Sequence, residues 1–160
     1  ESVRKHWIKT RNKEDMQKHI NSIVLACTHM SASKTGALIV LTQQQGLKEY
    51  ADTGEIIDAN ISAQMIENIF FKNSPLHDGA MIISNNHIEA AGCILPVSHD
   101  LNIPRHLGLR HRAALGISQS SDAVVIIVSE ENGAISTARG GKFRLRLSAE
   151  ELERELAGIK

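Results

Sequence analysis

Ala123-Val124-Val125-Ile126-Ile127-Val128 is an unbroken run of apolar residues, and all but the first branch at Cβ. Such branching favours an extended chain, and the run is far short of the roughly 20 residues a membrane-crossing helix needs. It is the strongest strand signal in the chain and reads as the centre of a sheet. Gly36-Ala37-Leu38-Ile39-Val40-Leu41 is a second run without alternation. A strand apolar on both faces has to be covered on both. The chain is therefore constrained to a layered fold, with a sheet inside and helices against it.

The remaining segments supply those layers. From Asn12 onward, Met16, Ile20, Ile23, Val24, Cys27 and Met30 recur at spacings of three and four, which predicts a one-faced helix with Lys18, His19 and Asn21 outward. Gln43 to Gly46 breaks the strand that follows, and Ile56 and Ile57 mark another brief one. Ser62 can cap a helix carrying Met65, Ile66, Ile69 and Phe70 as its stripe. Ala80 to Ser84 and Ile88 to Leu95 flank Asn85-Asn86-His87, which suits a hairpin. Val97 to Leu107 holds Pro104 and no period, predicting a loop before a helix that begins near Arg110 and packs through Ala113, Ala114, Leu115 and Ile117.

Asn132-Gly133 returns the central strand into Ala134 to Arg139, and Gly140-Gly141 opens a further pass. Lys142 to Leu147 alternates strictly, which predicts a basic face of solvated arginines. Ser148 and Glu151 form a capping box for a last helix, whose Leu152 and Leu156 are four residues apart. The expected fold is α/β (mixed α+β), one globular domain with a central mixed sheet of about seven strands flanked by four or five helices. Residues 1–12 are expected to be a linker and 13–160 the domain.

Composition excludes several classes of function. With 160 residues and 42% hydrophobic content the chain can build one sizeable core. Lys plus Arg equals Asp plus Glu, at 18 each, so no broad basic footprint for nucleic acid is available and any anion site must be local. Cys27 and Cys93 lie in apolar surroundings without metal-ligand spacing, which predicts buried thiols. No segment has the layout of a signal peptide or a spanning helix. The chain opens on Glu1 rather than Met, as a piece of a longer protein would.

Two loops carry chemistry. In Ser74-Pro75-Leu76-His77-Asp78-Gly79-Ala80 an imidazole and a carboxylate run directly into an apolar strand. Pro75 stiffens the approach, and Gly79 removes a side chain where a ligand could lie against backbone. An ordinary Asp-Gly turn fits the same residues. Leu109-Arg110-His111-Arg112 sets two guanidinium groups and an imidazole at a helix start, where free backbone N–H groups favour anions.

Taken in order, Gly36-Ala37-Leu38-Ile39, Leu76-His77-Asp78-Gly79-Ala80, Arg110-His111-Arg112-Ala113-Ala114 and Ser129-Glu130-Glu131 resemble the motifs of diadenylate cyclase domains, across roughly Met16 to Leu147. The long helix before Gly36 resembles the membrane-anchored type. The resemblance implies two ATP molecules joined into cyclic di-AMP, with two pyrophosphates released and a divalent ion (Mn2+, Mg2+ or Co2+) as cofactor. It implies a cytoplasmic domain whose full-length protein is anchored to the inner face of the cell membrane by segments outside this chain.

The residues can be set against that chemistry. A carboxylate backed by a metal suits activation of a 3'-hydroxyl, which assigns Asp78, in the Asp78-Gly79-Ala80 motif, to catalysis and His77 with Asp78 to the metal. His77 also suits a loop-stabilising hydrogen bond. Arg110 and Arg112 match triphosphate contacts, as guanidinium forks pair with phosphate oxygens, or else form a solvated basic turn. His111 suits either ligand contact or inward packing. Ser129 is matched to the terminal phosphate and Glu131 to positioning metal or water, although a plain turn fits them too. Leu95 is the adenine candidate, with Gly79 and Leu109 as further nucleotide contacts. Some relatives carry tyrosine where Ile94 stands and threonine where Leu109 stands.

Two other classes fit the same loops: a sensor that holds ATP or a cyclic dinucleotide without turnover, and a metal-dependent phosphohydrolase. With no internal repeat, one chain carries one set of motifs. A product built from two nucleotides then requires two chains face to face, as a transient homodimer or higher oligomer.

Overall fold

The computed structural model describes residues 2–159, with side chains from residue 13 onward. The side chains of the expected linker, residues 1–12, lie outside the described residues; the backbone from Ser2 is helical. Five helices and seven strands follow one another as α1 (Ser2–Ser33), β1 (Ala37–Leu41), α2 (Lys48–Ala51), β2 (Glu55–Asn60), α3 (Ala63–Phe70), β3 (Ala80–Ser84), β4 (His87–Cys93), α4 (Leu109–Ser120), β5 (Val124–Val128), β6 (Ile135–Arg139), β7 (Lys142–Leu147) and α5 (Ala149–Ala157).

The strands make one mixed sheet in the order β2-β4-β3-β1-β5-β6-β7. β1 pairs parallel with β3, Ile39 opposite Met81, and antiparallel with β5, Ile39 opposite Ile126. The two apolar runs that define the sequence thus sit side by side at the centre, and every residue of both strands is buried. Alternate side chains go to opposite layers. Ala37, Ile39, Leu41, Val124, Ile126 and Val128 pack with α1, α3 and α5. Leu38, Val40, Val125 and Ile127 pack with α2 and α4. Burying each such side chain contributes about 1.5 to 3 kcal/mol against conformational entropy, so the central strands are where the fold gains most.

The expected α/β architecture is borne out, with local differences. Met16 and Met65 continue the helical periods on paper but are exposed, because each lies at the edge of its helix's buried stripe. α2 has only four residues and no period to read. In the hairpin, Asn85 and Asn86 both take positive φ, 51° and 64°, as a two-residue turn requires, while His87 already pairs with Ser84. The Val97 to Leu107 loop is seated by Ile103 and Leu107 packing on Leu115. Cys27 and Cys93 are free and buried, and burial pushes their thiols up to about 12 and about 11.

The Lys142 to Leu147 strand departs most from its expected face. Arg144 pairs with Glu155 of α5 at 3.1 Å. Between the pairs Thr137 with Arg144 and Ile135 with Leu147 the register shifts, so Ser136 alone faces both Leu145 and Arg146. This β-bulge breaks the alternation, and Arg146 carries φ of 58°.

Candidate active site

A cleft of about 600 Å3 opens on the α4 side of the sheet. Its floor is built from Leu38 of β1, Val128 of β5, Ala134 just before β6 and Ser136 of β6. Asp78 and Gly79, just before β3, stand at one side, with Cys93 at the end of β4 and Ile94 and Leu95 just after it. The wall opposite is the loop before α4 and its first turn, from His106 to His111. α4 starts at Gly108 without a side-chain cap, which leaves first-turn N–H groups directed outward beside Arg110.

Arg110 is the fixed point of the site. Its guanidinium lies flat on Gly36, where a Cβ would come within 2.6 Å of the guanidinium carbon; no residue but glycine allows that approach. The side chain is 22% exposed, with NH1 3.4 Å from Glu130 and NH2 4.0 Å from Asp78. Its Nε is buried without a hydrogen-bond acceptor. Two carboxylates therefore steer the guanidinium while one of its donors stays open.

Asp78, by contrast, is 86% exposed, and its Oδ1 lies 3.5 Å from His77 Nε2. His77 Nδ1 donates to the Ser74 carbonyl at 2.8 Å, which orients the ring with Nε2 toward Asp78. Gly79 holds the turn at φ of 89°, and a Cβ there would meet the Cys93 carbonyl at 2.7 Å. Ala80 is wholly buried in the sheet and presents no side chain to the cleft.

The loop after β5 is tied from two directions. Ser129 Oγ accepts from the backbone N–H of Glu131 and Asn132, at 3.2 and 3.4 Å. Its own proton stays free to donate outward. Ser31 of α1 donates to the Gly133 carbonyl at 2.6 Å, fixing the far side of the turn.

The cleft gathers Asp78, Gly79, Leu95, Leu109, Arg110, His111, Ser129 and Glu131. It does not gather Arg112 or His77 among its lining residues. Arg112 stands two positions on from Arg110, about 200° further round the helix axis, and its side chain is outside the cleft lining. His111 lines the cleft and also packs edge-on against Phe143, ring centroids 6.1 Å apart. Burial, then the neighbouring His106 and Arg110, holds its pKa below 6.5, so it is neutral near pH 7. Glu130, Asn132, Ser136 and Arg146 line the cleft as well and were not singled out from sequence. Glu130 was adjacent to a chosen residue, and only turn geometry decides which of two neighbouring glutamates meets Arg110.

The apolar wall is made of Ile94, Leu95, Val97, Leu107 and Leu109. Leu95 is buried, whereas Ile94 and Leu109 are 70% and 76% exposed. Among the described residues no group of three or more His, Cys, Asp or Glu side chains could hold a metal ion. No helix among them is long and apolar enough to cross a membrane.

Comparison with known proteins places this architecture. Residues 24–143 match the DAC family, described as the DisA bacterial checkpoint controller nucleotide-binding domain. Cyclic di-AMP synthase CdaA of Bacillus subtilis is 43% identical over 143 residues, covering 89% of this chain and 52% of that protein. A diadenylate cyclase of Listeria monocytogenes is 44% identical over 137 residues, covering 86% of this chain and 50% of its own length. The crystal structure of a double mutant of DacA from Staphylococcus aureus superposes with a TM-score of 0.90 at 46% identity, covering 91% of this chain and 97% of that one. A hypothetical membrane spanning protein from Bacillus cereus, at 41% identity and a TM-score of 0.77, covers 80% of this chain and 63% of that one. The chain belongs to the diadenylate cyclase (DAC) domain family. It spans about half the length of the curated relatives it matches.

Proposed function

We propose that this domain condenses two ATP molecules into cyclic di-AMP, one nucleotide held per subunit. Family membership supports the reading, and one observation carries it at the level of chemistry: a half-buried guanidinium with an unpartnered Nε beside an exposed carboxylate. Arg110 Nε is a buried donor without an acceptor, and a phosphate oxygen would satisfy it. Asp78 projects from the rim, where it can receive a proton from a hydroxyl belonging to a second nucleotide.

In each half-reaction a 3'-hydroxyl loses its proton and its oxygen bonds to the other nucleotide's α-phosphorus. The bond from that phosphorus to the β-phosphate oxygen breaks, and pyrophosphate leaves. Two such events close the ring. Asp78 takes the proton, Arg110 and the α4 N–H groups draw charge from the phosphates, and Ser129 donates its free proton to the terminal phosphate. Glu131 orients water or metal nearby. Leu95 and the aliphatic wall hold adenine by apolar contact, without an aromatic platform.

A divalent cation fits these residues as a partner shared with substrate. His77 Nε2 and Asp78 Oδ1 supply one nitrogen and one oxygen donor, and phosphate oxygens would complete a set suited to Mn2+, Mg2+ or Co2+. When bound, it neutralises phosphate charge and lowers the pKa of the hydroxyl. Asp78, Glu130 and Glu131 would otherwise repel a triphosphate, a repulsion that a bound cation would offset. The full-length protein is proposed to reach the inner face of the cell membrane through segments outside this chain, in keeping with a solved relative described as membrane spanning.

The test is to incubate the protein with ATP and Mn2+ or Mg2+ and identify the nucleotides by mass. Cyclic di-AMP with two pyrophosphates per product is the expected result. ADP or AMP as the product replaces the reading with phosphohydrolysis, and ATP bound but unaltered replaces it with sensing.

A further inference from the structure

Arg146 sits where β7 departs from regular pairing. Arg144, two residues earlier, points toward α5 and pairs with Glu155, and strict alternation would send Arg146 to that same side. Instead Ser136 opposes two residues, and Arg146 adopts φ of 58°. Left-handed backbone in a non-glycine residue costs of order 1 kcal/mol or more and persists where its surroundings impose it. Here the Arg146 N–H donates to Ser136 Oγ at 3.3 Å. The result is an arginine turned onto the cleft, beside Leu145 and Ser136. Among the described residues Arg146 has no carboxylate partner, whereas Arg110 and Arg144 both have one.

The cleft runs across the strand ends from Asp78, before β3, to Arg146 on β7. The apolar wall formed by Ile94, Leu95, Val97 and Leu109 accounts for a base, and Asp78 with Arg110 accounts for the reacting phosphate. Ser129, just after β5, and Ser136, on the adjacent strand β6, lead on to Arg146. We propose that Arg146 binds the β,γ-diphosphate of ATP, the part that leaves as pyrophosphate. This assignment rests on the ATP reading above. It gives the bulge a function: a strained turn in an edge strand converts a solvent-facing arginine into an anion contact.

The experiment is equilibrium binding of 3'-deoxy-ATP, which cannot cyclise, and of 3'-deoxy-AMP, both in Mg2+, to the wild type, Arg146→Ala, Arg146→Lys and Arg144→Ala. Loss of a charged hydrogen bond predicts that Arg146→Ala weakens 3'-deoxy-ATP by roughly tenfold to 150-fold and leaves 3'-deoxy-AMP unchanged. Arg146→Lys recovers part of the loss. Arg144→Ala, which removes the same charge from the same strand, binds both as the wild type does. Arg146→Gly should raise the melting temperature by relieving the left-handed strain while weakening 3'-deoxy-ATP just as alanine does.

Unchanged 3'-deoxy-ATP affinity in Arg146→Ala overturns the proposal. So do equal losses for both nucleotides, equal losses in Arg144→Ala, or a wild type that binds no 3'-deoxy-ATP. A wild type that binds it but yields no cyclic di-AMP from ATP removes the cyclase reading and leaves the Arg146 contact standing.

Discussion

At the residue scale the site is a division between fixed and presented groups. Arg110 is pinned on Gly36, while Asp78 is largely exposed beside His77. Replacing Asp78 with Asn keeps shape and removes the base, so cyclic di-AMP formation should be lost while ATP affinity stays within a few-fold. Turnover near the wild-type rate in Asp78→Asn would end the assigned role. His111 makes a second prediction, through pH. Its folded pKa is depressed below 6.5 by burial, so the folded state favours the neutral ring. That contribution to stability is present above 6.5 and is lost as pH falls below it through the folded value. Melting temperature should therefore decline from pH 7.5 to pH 5.5, and His111→Gln should flatten the decline; an identical slope in the variant would place the acid sensitivity elsewhere.

At the element scale, what holds the site is secondary structure that ends at the right residue. β3 begins just after Asp78-Gly79, α4 begins just before Arg110, and β5 ends just before Ser129, so three termini converge on one cleft. α5 closes the opposite layer through its capping box, in which the Ser148 hydroxyl accepts from Glu151 N–H at 3.1 Å and Glu151 returns the bond to Ser148 N–H. Ser148→Ala should cost about 1 kcal/mol of folding stability, measured by urea unfolding, without changing nucleotide binding. A loss of binding at unchanged stability would mean that α5 couples to the cleft.

These elements also mark what could be read in advance. Buried strands announce themselves because Val124–Val128 and Ala37–Leu41 leave no polar face. Ser62 and Ser148 announce their helices because capping is local chemistry. Arg146 could not be found that way, since counting alternate residues assumes a regular register and a bulge is made by the partner strand. Arg112 was paired with Arg110 by motif, and the structure leaves it outside the cleft lining.

At the scale of the whole molecule the chain carries one set of these motifs and one Asp78. If the product needs two nucleotides, a second copy has to bring the second substrate. Apposition of well-oriented groups can contribute on the order of 7 to 11 kcal/mol to barrier lowering. Ile94, Leu109 and Leu145 at the cleft and Leu101 in the nearby loop expose apolar surface, which suits a modest contact between copies. Rate per milligram should rise with protein concentration across a hundredfold dilution series at saturating ATP and metal. A flat profile from a species that sediments as a monomer throughout would refute a two-subunit mechanism.

The central position of β1 bears on how the chain is made. β1 is the first of these seven strands to leave the ribosome, yet its antiparallel neighbour β5 comes after six intervening elements. Until Val124–Val128 has emerged, Ala37–Leu41 carries an apolar edge that nothing yet covers, and pairing across such separations is slow. The residues that make the finished core most stable are thus the ones that leave the nascent chain exposed longest. Synthesis that stalls before residue 124 should yield a sticky, protease-sensitive fragment rather than a smaller folded domain.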